Sequence, residues 1–135
     1  MIVDIPQKYA DLLHTAILAH VATIGPKGEP HNTPVWFDWD GQHIRFSQTK
    51  ARQKFRNLER DPRLALSIVD PSNPYLSLEI RGKVVRIEAD ANLHFLNALT
   101  KRYLGRDTYP FDHPGEEHFV IVAQLEHITR PLRKP

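Results

Sequence analysis

The segment SQTKARQKFRNLERDPR, Ser47 to Arg63, carries six of the chain's eighteen lysines and arginines, at Lys50, Arg52, Lys54, Arg56, Arg60 and Arg63. Its two acids, Glu59 and Asp61, leave it at +4, whereas the rest of the 135-residue chain sums to −2, so the net charge of +2 is local. Apolar residues at Ala51, Phe55 and Leu58, followed by Pro62, predict a helix. A helix N-terminus is the positive end of the macrodipole, so acids belong in the first turn and bases in the last. This helix is charged the other way round. Lys50, Arg52 and Lys54 crowd its start and Glu59 and Asp61 its end, at a cost of about 0.3–1 kcal/mol per exposed charge. A bound phosphate would reverse that sign, because free N–H groups, the dipole and the cations would all point at it, with Ser47 and Thr49 adding hydroxyls. The same charges would also serve as a solvated basic face lying over a sheet. Arg56, opposite the apolar stripe, fits only that role, whereas Lys54 flanks the stripe and is held near the sheet.

Other chemistries find little support. With no cysteine, disulfides, thiolate nucleophiles, zinc knuckles and iron–sulfur clusters are all excluded. The six glycines never fall into a dinucleotide-binding or P-loop spacing, and no serine occupies a nucleophile elbow. Eight histidines include the pair in HPGEEH, His113 to His118, but Pro114-Gly115 forbids the helix that would align them as ligands, and no metal is assigned. Outside the basic segment and the terminal RPLRKP the chain is slightly acidic, and no helix-turn-helix or base-stacking signature accompanies the charge. Nucleic-acid binding therefore rests on the basic helix alone.

The elements that must position the basic segment follow from periodicity. PQKYADLLHTAILA, residues 6–19, predicts an amphipathic helix with Tyr9, Leu12, Leu13, Ala16 and Ile17 inward. HVATI reads as a strand, GPKGEP as a turn, and HNTPVWFDW as a second strand ended by the turn dipeptide Asp40-Gly41, before a third strand, HIRFS. A two-residue Asp40-Gly41 loop would pair Phe37 with Ile44 and Val35 with Phe46 on an apolar face, and Trp36 with Arg45 and Asp38 with His43 on a polar one. After the basic helix come the strand RLALSIVD, the loop PSNP, and YLSLEIRGKVVRIE as one long strand or a hairpin broken near Gly82. DANLHFLNALTKRYL predicts a helix capped by Asp90, with Leu93, Leu96, Leu99 and Tyr103 inward. The polar loop GRDTYPFDHPGEE leads to the last strand, HFVIVAQLEHI. This order predicts a mainly β, or α+β, single domain over residues 1–135: an antiparallel barrel with helices at its ends. Asp4 and Pro6 interrupt the opening where a secretory signal needs an unbroken apolar core, so a cytoplasmic protein is expected.

The hairpin and basic helix together, TPVWFDWDGQHIRFSQTKARQKFRNLERDPRLALSIVD, resemble the FMN-binding split-barrel family of pyridoxamine 5′-phosphate oxidase, especially its short deazaflavin-dependent branch. The resemblance implies a split β-barrel whose cofactor phosphate is gripped by Ser47, Thr49, Arg52 and Lys54, with Lys50 as a further cation at the rim. It implies that Pro34, Val35 and Trp36 line the flavin ring. It also implies a homodimer with the cofactor between two chains, so that Tyr75 comes from the partner or lines the substrate pocket; rim packing is the other role open to Tyr75. The activity implied is hydride transfer between coenzyme F420, or alternatively FMN, and an unsaturated small molecule, the cofactor carrying the chemistry so that no catalytic side chain is needed. The competing class is a non-catalytic cofactor- or haem-binding module on the same barrel. Longer oxidases of the family end in substrate-phosphate ligands that EHITRPLRKP does not reproduce, which argues against vitamin B6 oxidation.

Overall fold

The computed structural model describes residues 4–129; the sequence-based expectations for the first three residues and for the basic end RPLRKP lie outside the described residues. Helix α1 (Gln7–Leu13) begins after Pro6 and buries Tyr9, Leu12 and Leu13. It is shorter than its periodicity suggested. Thr15 returns its hydroxyl to the Asp11 carbonyl, the chain turns, and Ile17 is buried from a loop while Ala16 is exposed. Side-chain competition for helical carbonyls is what makes threonine a poor residue for helix continuation.

Seven strands follow: β1 (Ala19–Ile24), β2 (Pro30–Val35), β3 (Phe37–Trp39), β4 (His43–Thr49), β5 (Arg63–Asp70), β6 (Asn73–Ala89) and β7 (His118–Thr129). They form one sheet in the order β2-β1-β5-β6-β7-β4-β3, every pairing antiparallel. The edges of that sheet, β2 and β3, are consecutive in sequence and separated only by Trp36. Only a sheet curled back on itself can satisfy both facts, so the fold is the split antiparallel barrel expected, with helices flanking it. The single strand expected over HNTPVWFDW is therefore two half-strands serving opposite edges. At the break the Tyr103 hydroxyl accepts the Phe37 N–H at 3.1 Å and donates to the Ile17 carbonyl at 2.6 Å, so the seam keeps its backbone groups paired.

The β3–β4 register differs from expectation while the faces do not. Phe37 pairs with Phe46, Asp38 with Arg45 and Trp39 with Ile44, because the loop is Gly41-Gln42 rather than Asp40-Gly41. Asp40 uses its carboxylate to accept the N–H groups of Gln42 (2.8 Å) and His43 (2.6 Å), and Gly41 takes φ +92°. Moving the turn by one residue shifts each partner by two, which preserves the side of the sheet. Phe37, Ile44 and Phe46 are fully buried, and Asp38 meets Arg45 in a bidentate pair at 2.7 and 2.9 Å.

Strand β6 is continuous through Gly82, so the alternative of a hairpin there does not form. Its register against β7 slips at Arg81/Gly82 and again between Val84 and Arg86, the bulges that bend a strand of seventeen residues round a barrel. At Gly82 a Cβ would collide with the Gln124 carbonyl of β7, so a close backbone approach selects glycine. Helix α2 (Gln53–Arg60) buries Phe55, Asn57 and Leu58. Ala51, expected on its inner stripe, is instead exposed in the turn before it. Helix α3 (His94–Leu104) follows a 3-10 turn at Ala91–Leu93 and ends at Gly105, φ +72°. Asp90 caps it from further away than expected: Asn92 and Leu93 intervene with positive φ, and the carboxylate accepts the N–H groups of Phe95 (2.9 Å) and Leu96 (3.0 Å). Leu96 and Leu99 point inward as predicted, with Phe95.

Candidate cofactor-binding cleft

The strand β4 runs out at Thr49, and Lys50 to Arg52 turn the chain into α2. Arg52 is extended at φ −80°, ψ 147°, and no side chain caps the helix, so its first-turn N–H groups have no side-chain partner. No acid occupies that first turn. The helix is anchored from beneath, where the fully buried Asn57 donates to Thr23 of β1 at 3.0 Å and accepts from Gln53 at 2.8 Å. This tether fixes the uncapped end over a cleft of about 640 Å³.

Three walls enclose the cleft. Ser47, Gln48 and Thr49 with Arg52, Gln53 and Lys54 form the polar one; Thr33, Pro34, Val35 and Trp36 form the second; and the loop of residues 105–117, with the start of β7, supplies Tyr109, Phe111, Glu116 and His118. Trp36 is held flat by stacking on Tyr103, with centroids 5.1 Å apart and planes 12° from parallel, while Tyr109 meets it edge-on at 6.3 Å. The loop is fastened by the Tyr109 N–H to Asn97 (2.9 Å) and by the Lys50 N–H to the Glu117 carbonyl (3.1 Å).

Electrostatics single out Lys54. Burial, reinforced by the Arg52 guanidinium, lowers its pKa from 10.5 to about 8. Among the described residues neither Arg52 nor Lys54 forms a side-chain hydrogen bond or ion pair, although Lys54 lies over the Phe46 ring at 5.9 Å. Two cations thus share a cleft with an uncapped helix end, and among the described residues no carboxylate lies in pairing distance of either. Arg56 is exposed as expected, and its guanidinium clasps the Ala51 carbonyl and Gln53, both at 2.7 Å.

Seven of the residues marked from sequence, Pro34, Val35, Trp36, Ser47, Thr49, Arg52 and Lys54, converge on this cleft. Two do not. Lys50 is exposed beside it, and Tyr75, 68% exposed near the start of β6, lies elsewhere on the chain. Trp36 is half-buried on Tyr103. The loop residues escaped notice because an irregular proline-bearing segment has no periodicity to read. The Pro114-Gly115 turn of HPGEEH brings Glu116 and His118 together with the preceding Asp112, their ligand atoms within 4.8 Å of one another. The buried His118 donates Nε2–H to Asp112 at 2.8 Å, with Glu116 at 3.5 Å.

A curled antiparallel sheet with a cation-lined cleft at the β4–α2 junction defines the class: the split-barrel fold of flavin- and deazaflavin-type oxidoreductases. The family model for pyridoxamine 5′-phosphate oxidase matches residues 5–129, and the chain belongs to that family. Among solved structures it is similar to a protein named F420 Reductase, at 38% identity and a TM-score of 0.85, covering 93% of this chain and 98% of that one. The conserved hypothetical protein Rv2991 of Mycobacterium tuberculosis shares the fold at 24% identity and TM-score 0.72, with 94% and 84% of the two chains covered. HupZ of Group A Streptococcus does so at 24% and 0.64, covering 93% and 92%. No curated protein matches. Among the described residues no helix is long and apolar enough to cross a membrane.

Proposed function

We propose that the cleft binds a phosphate-bearing flavin or deazaflavin and that the protein moves a hydride between it and an unsaturated small molecule. The observation that carries this reading is the unpaired Arg52–Lys54 couple at an uncapped helix N-terminus. Arg52, Lys54 and the hydroxyls of Ser47 and Thr49 hold the phosphate; Pro34, Val35 and Trp36 present a flat wall to the ring; Tyr109 and Phe111 keep water from it. The bound group supplies the hydride chemistry, so this chain needs to bind, orient and exclude solvent. Of the two cofactors we infer coenzyme F420. Lys50, exposed in the turn before α2 and in no ion pair among the described residues, would add a cation for an anionic tail, and the 38%-identical F420 Reductase supports the same choice. A second copy of the chain is part of the reading. The exposed Tyr75 and Val69 (41% exposed) both lie at the β5–β6 end, where a partner would cover them.

Titration of apo-protein with F420 and with FMN tests the cradle. Each charge-assisted contact contributes about 1.5–3 kcal/mol, so Arg52→Ala with Lys54→Ala is expected to weaken binding at least ~100-fold, whereas Arg86→Ala, on exposed β6, is a silent control. Unchanged affinity in the double variant refutes the phosphate site. Tight FMN binding without F420 binding corrects the cofactor alone. Oxidation of the reduced cofactor with quinone, tetrapyrrole or enone acceptors tests the activity, and binding with no turnover of any acceptor identifies a non-catalytic module.

A further inference from the structure

Asp112, Glu116 and His118 form the one group of three possible metal ligands among the described residues, and the proposed chemistry of the cleft uses none of them. Two carboxylates face a single ring N–H. His118 Nε2 lies 2.8 Å from Asp112 Oδ1 and 3.5 Å from Glu116 Oε2. Among the described residues no lysine or arginine pairs with either acid, and the Glu116 carboxylate accepts no hydrogen bond. The ring comes from a different element and is held in place. Its side chain is only 5% exposed, Thr49 of β4 pairs with its backbone, and Tyr109 meets it edge-on at 6.3 Å. Among the described residues this buried ring makes no hydrogen bond except into the cluster.

The spacing suits an ion. A divalent transition metal bonds imidazole nitrogen and carboxylate oxygen at about 2.0–2.2 Å, so neighbouring ligand atoms stand about 2.9–3.4 Å apart in octahedral or tetrahedral geometry. The two His118 separations bracket that range. The Asp112 and Glu116 oxygens belong to partly exposed side chains on a loop, which can adjust to a common centre without disturbing the core. One imidazole and two carboxylates favour a borderline ion such as Zn²⁺ over Ca²⁺ or Mg²⁺, which take oxygen ligands alone. Pro114-Gly115, which rules out two ligands on one helical turn, is what reverses the chain here, with Gly115 at φ +87° and the Glu116 N–H on the His113 carbonyl at 3.2 Å.

We propose that Asp112, Glu116 and His118 bind one divalent transition-metal ion of the zinc type, and that this ion staples the 105–117 loop to β7. The ion takes the Nε2 lone pair, the ring proton passes to Nδ1, and the two carboxylates neutralise the metal's charge. Glu116 and His118 line the cofactor cleft, while all three ligands line a second, smaller hollow beside Asp90. The ion thus sits in the wall behind the loop that carries Tyr109 and Phe111, and adds to the ties from Asn97 and the Lys50 N–H. The site depends on neither the phosphate cradle nor hydride transfer.

The test titrates chelator-treated, full-length protein with Zn²⁺ by calorimetry in a non-coordinating buffer, without cofactor. One ion per chain is expected, at micromolar or tighter affinity. Asp112→Asn and Glu116→Gln, both conservative and partly exposed, should each weaken binding at least ~10-fold, whereas His14→Gln and His127→Gln, exposed elsewhere, should leave it unchanged. Zn²⁺ should also slow hydrogen exchange across residues 105–117 at least ~5-fold in the wild type and not in the Asp112→Asn/Glu116→Gln double variant. Affinity that survives the double variant, or that either control removes, identifies an adventitious ion on surface histidines and overturns the proposal. So does the absence of binding up to millimolar Zn²⁺. Zinc held by the three residues with no slowing of exchange refutes the staple.

Discussion

Replacing Lys54 with methionine should make the empty protein more stable and the loaded protein less so. Methionine keeps the unbranched stem over Phe46 and removes the charge that burial disfavours. A pKa of about 8 in the fold against 10.5 for the free side chain sets a ceiling of about 3 kcal/mol on the cost of keeping Lys54 charged. Because the side chain is only half-buried, solvent screening lowers the expected gain at pH 7 to on the order of 1–2 kcal/mol. The pH dependence has a definite sign. Below pH 8 the lysine is charged in both states and the folded state bears the whole penalty. Between about 8 and 10.5 the unfolded chain binds more protons than the fold, so wild-type stability rises with pH and the advantage of methionine fades. Urea unfolding of both proteins at pH 7 and pH 10 measures this. A saturating phosphate-bearing ligand should invert the order at pH 7, since only the wild type gains the ion contact. Equal or lower stability of Lys54→Met at pH 7 without ligand, or a gap that does not shrink by pH 10, would refute the account of Lys54 as an unpaired cation awaiting an anion.

Two other expectations concern the fold and the assembly. Tyr103→Phe removes the hydroxyl that bridges the Phe37 N–H and the Ile17 carbonyl at the barrel seam, and leaving those groups unpaired should cost about 1–3 kcal/mol in chemical denaturation; a loss under 0.5 kcal/mol would show that the seam does not depend on it. Sedimentation of dilute cofactor-loaded protein should show a dimer that Tyr75→Glu weakens, and a monomer with cofactor still bound would refute the shared interface.

Alternation and charge made most of this protein readable as a sequence. Period-two alternation marked β4 and β5, because an antiparallel sheet with one buried face imposes it on each strand separately, whereas β7, buried on both faces from Val120 to Ala123, showed as a continuous apolar run. The inverted charge of the segment beginning at Ser47 pointed to an anion because the macrodipole is a property of any helix, whatever surrounds it. Resemblance to a family, rather than spacing, marked Pro34 and Val35. Tertiary structure decided what depends on distant partners. Whether Gly82 ends a strand or bends one is settled by the Gln124 carbonyl of β7, forty-two residues away in sequence. The Asp40 carboxylate, by capping Gln42 and His43, chose a turn one residue later than the Asp40-Gly41 dipeptide advertised. The break at Trp36 exists only because a curled sheet must bring its two edges together. Tyr109 and Phe111 enter the cleft from a loop whose path is set by Asn97 and Lys50 rather than by its own residues. Local sequence carries backbone preference and charge order, whereas closure of the barrel creates the enclosed volume in which Lys54 loses its water.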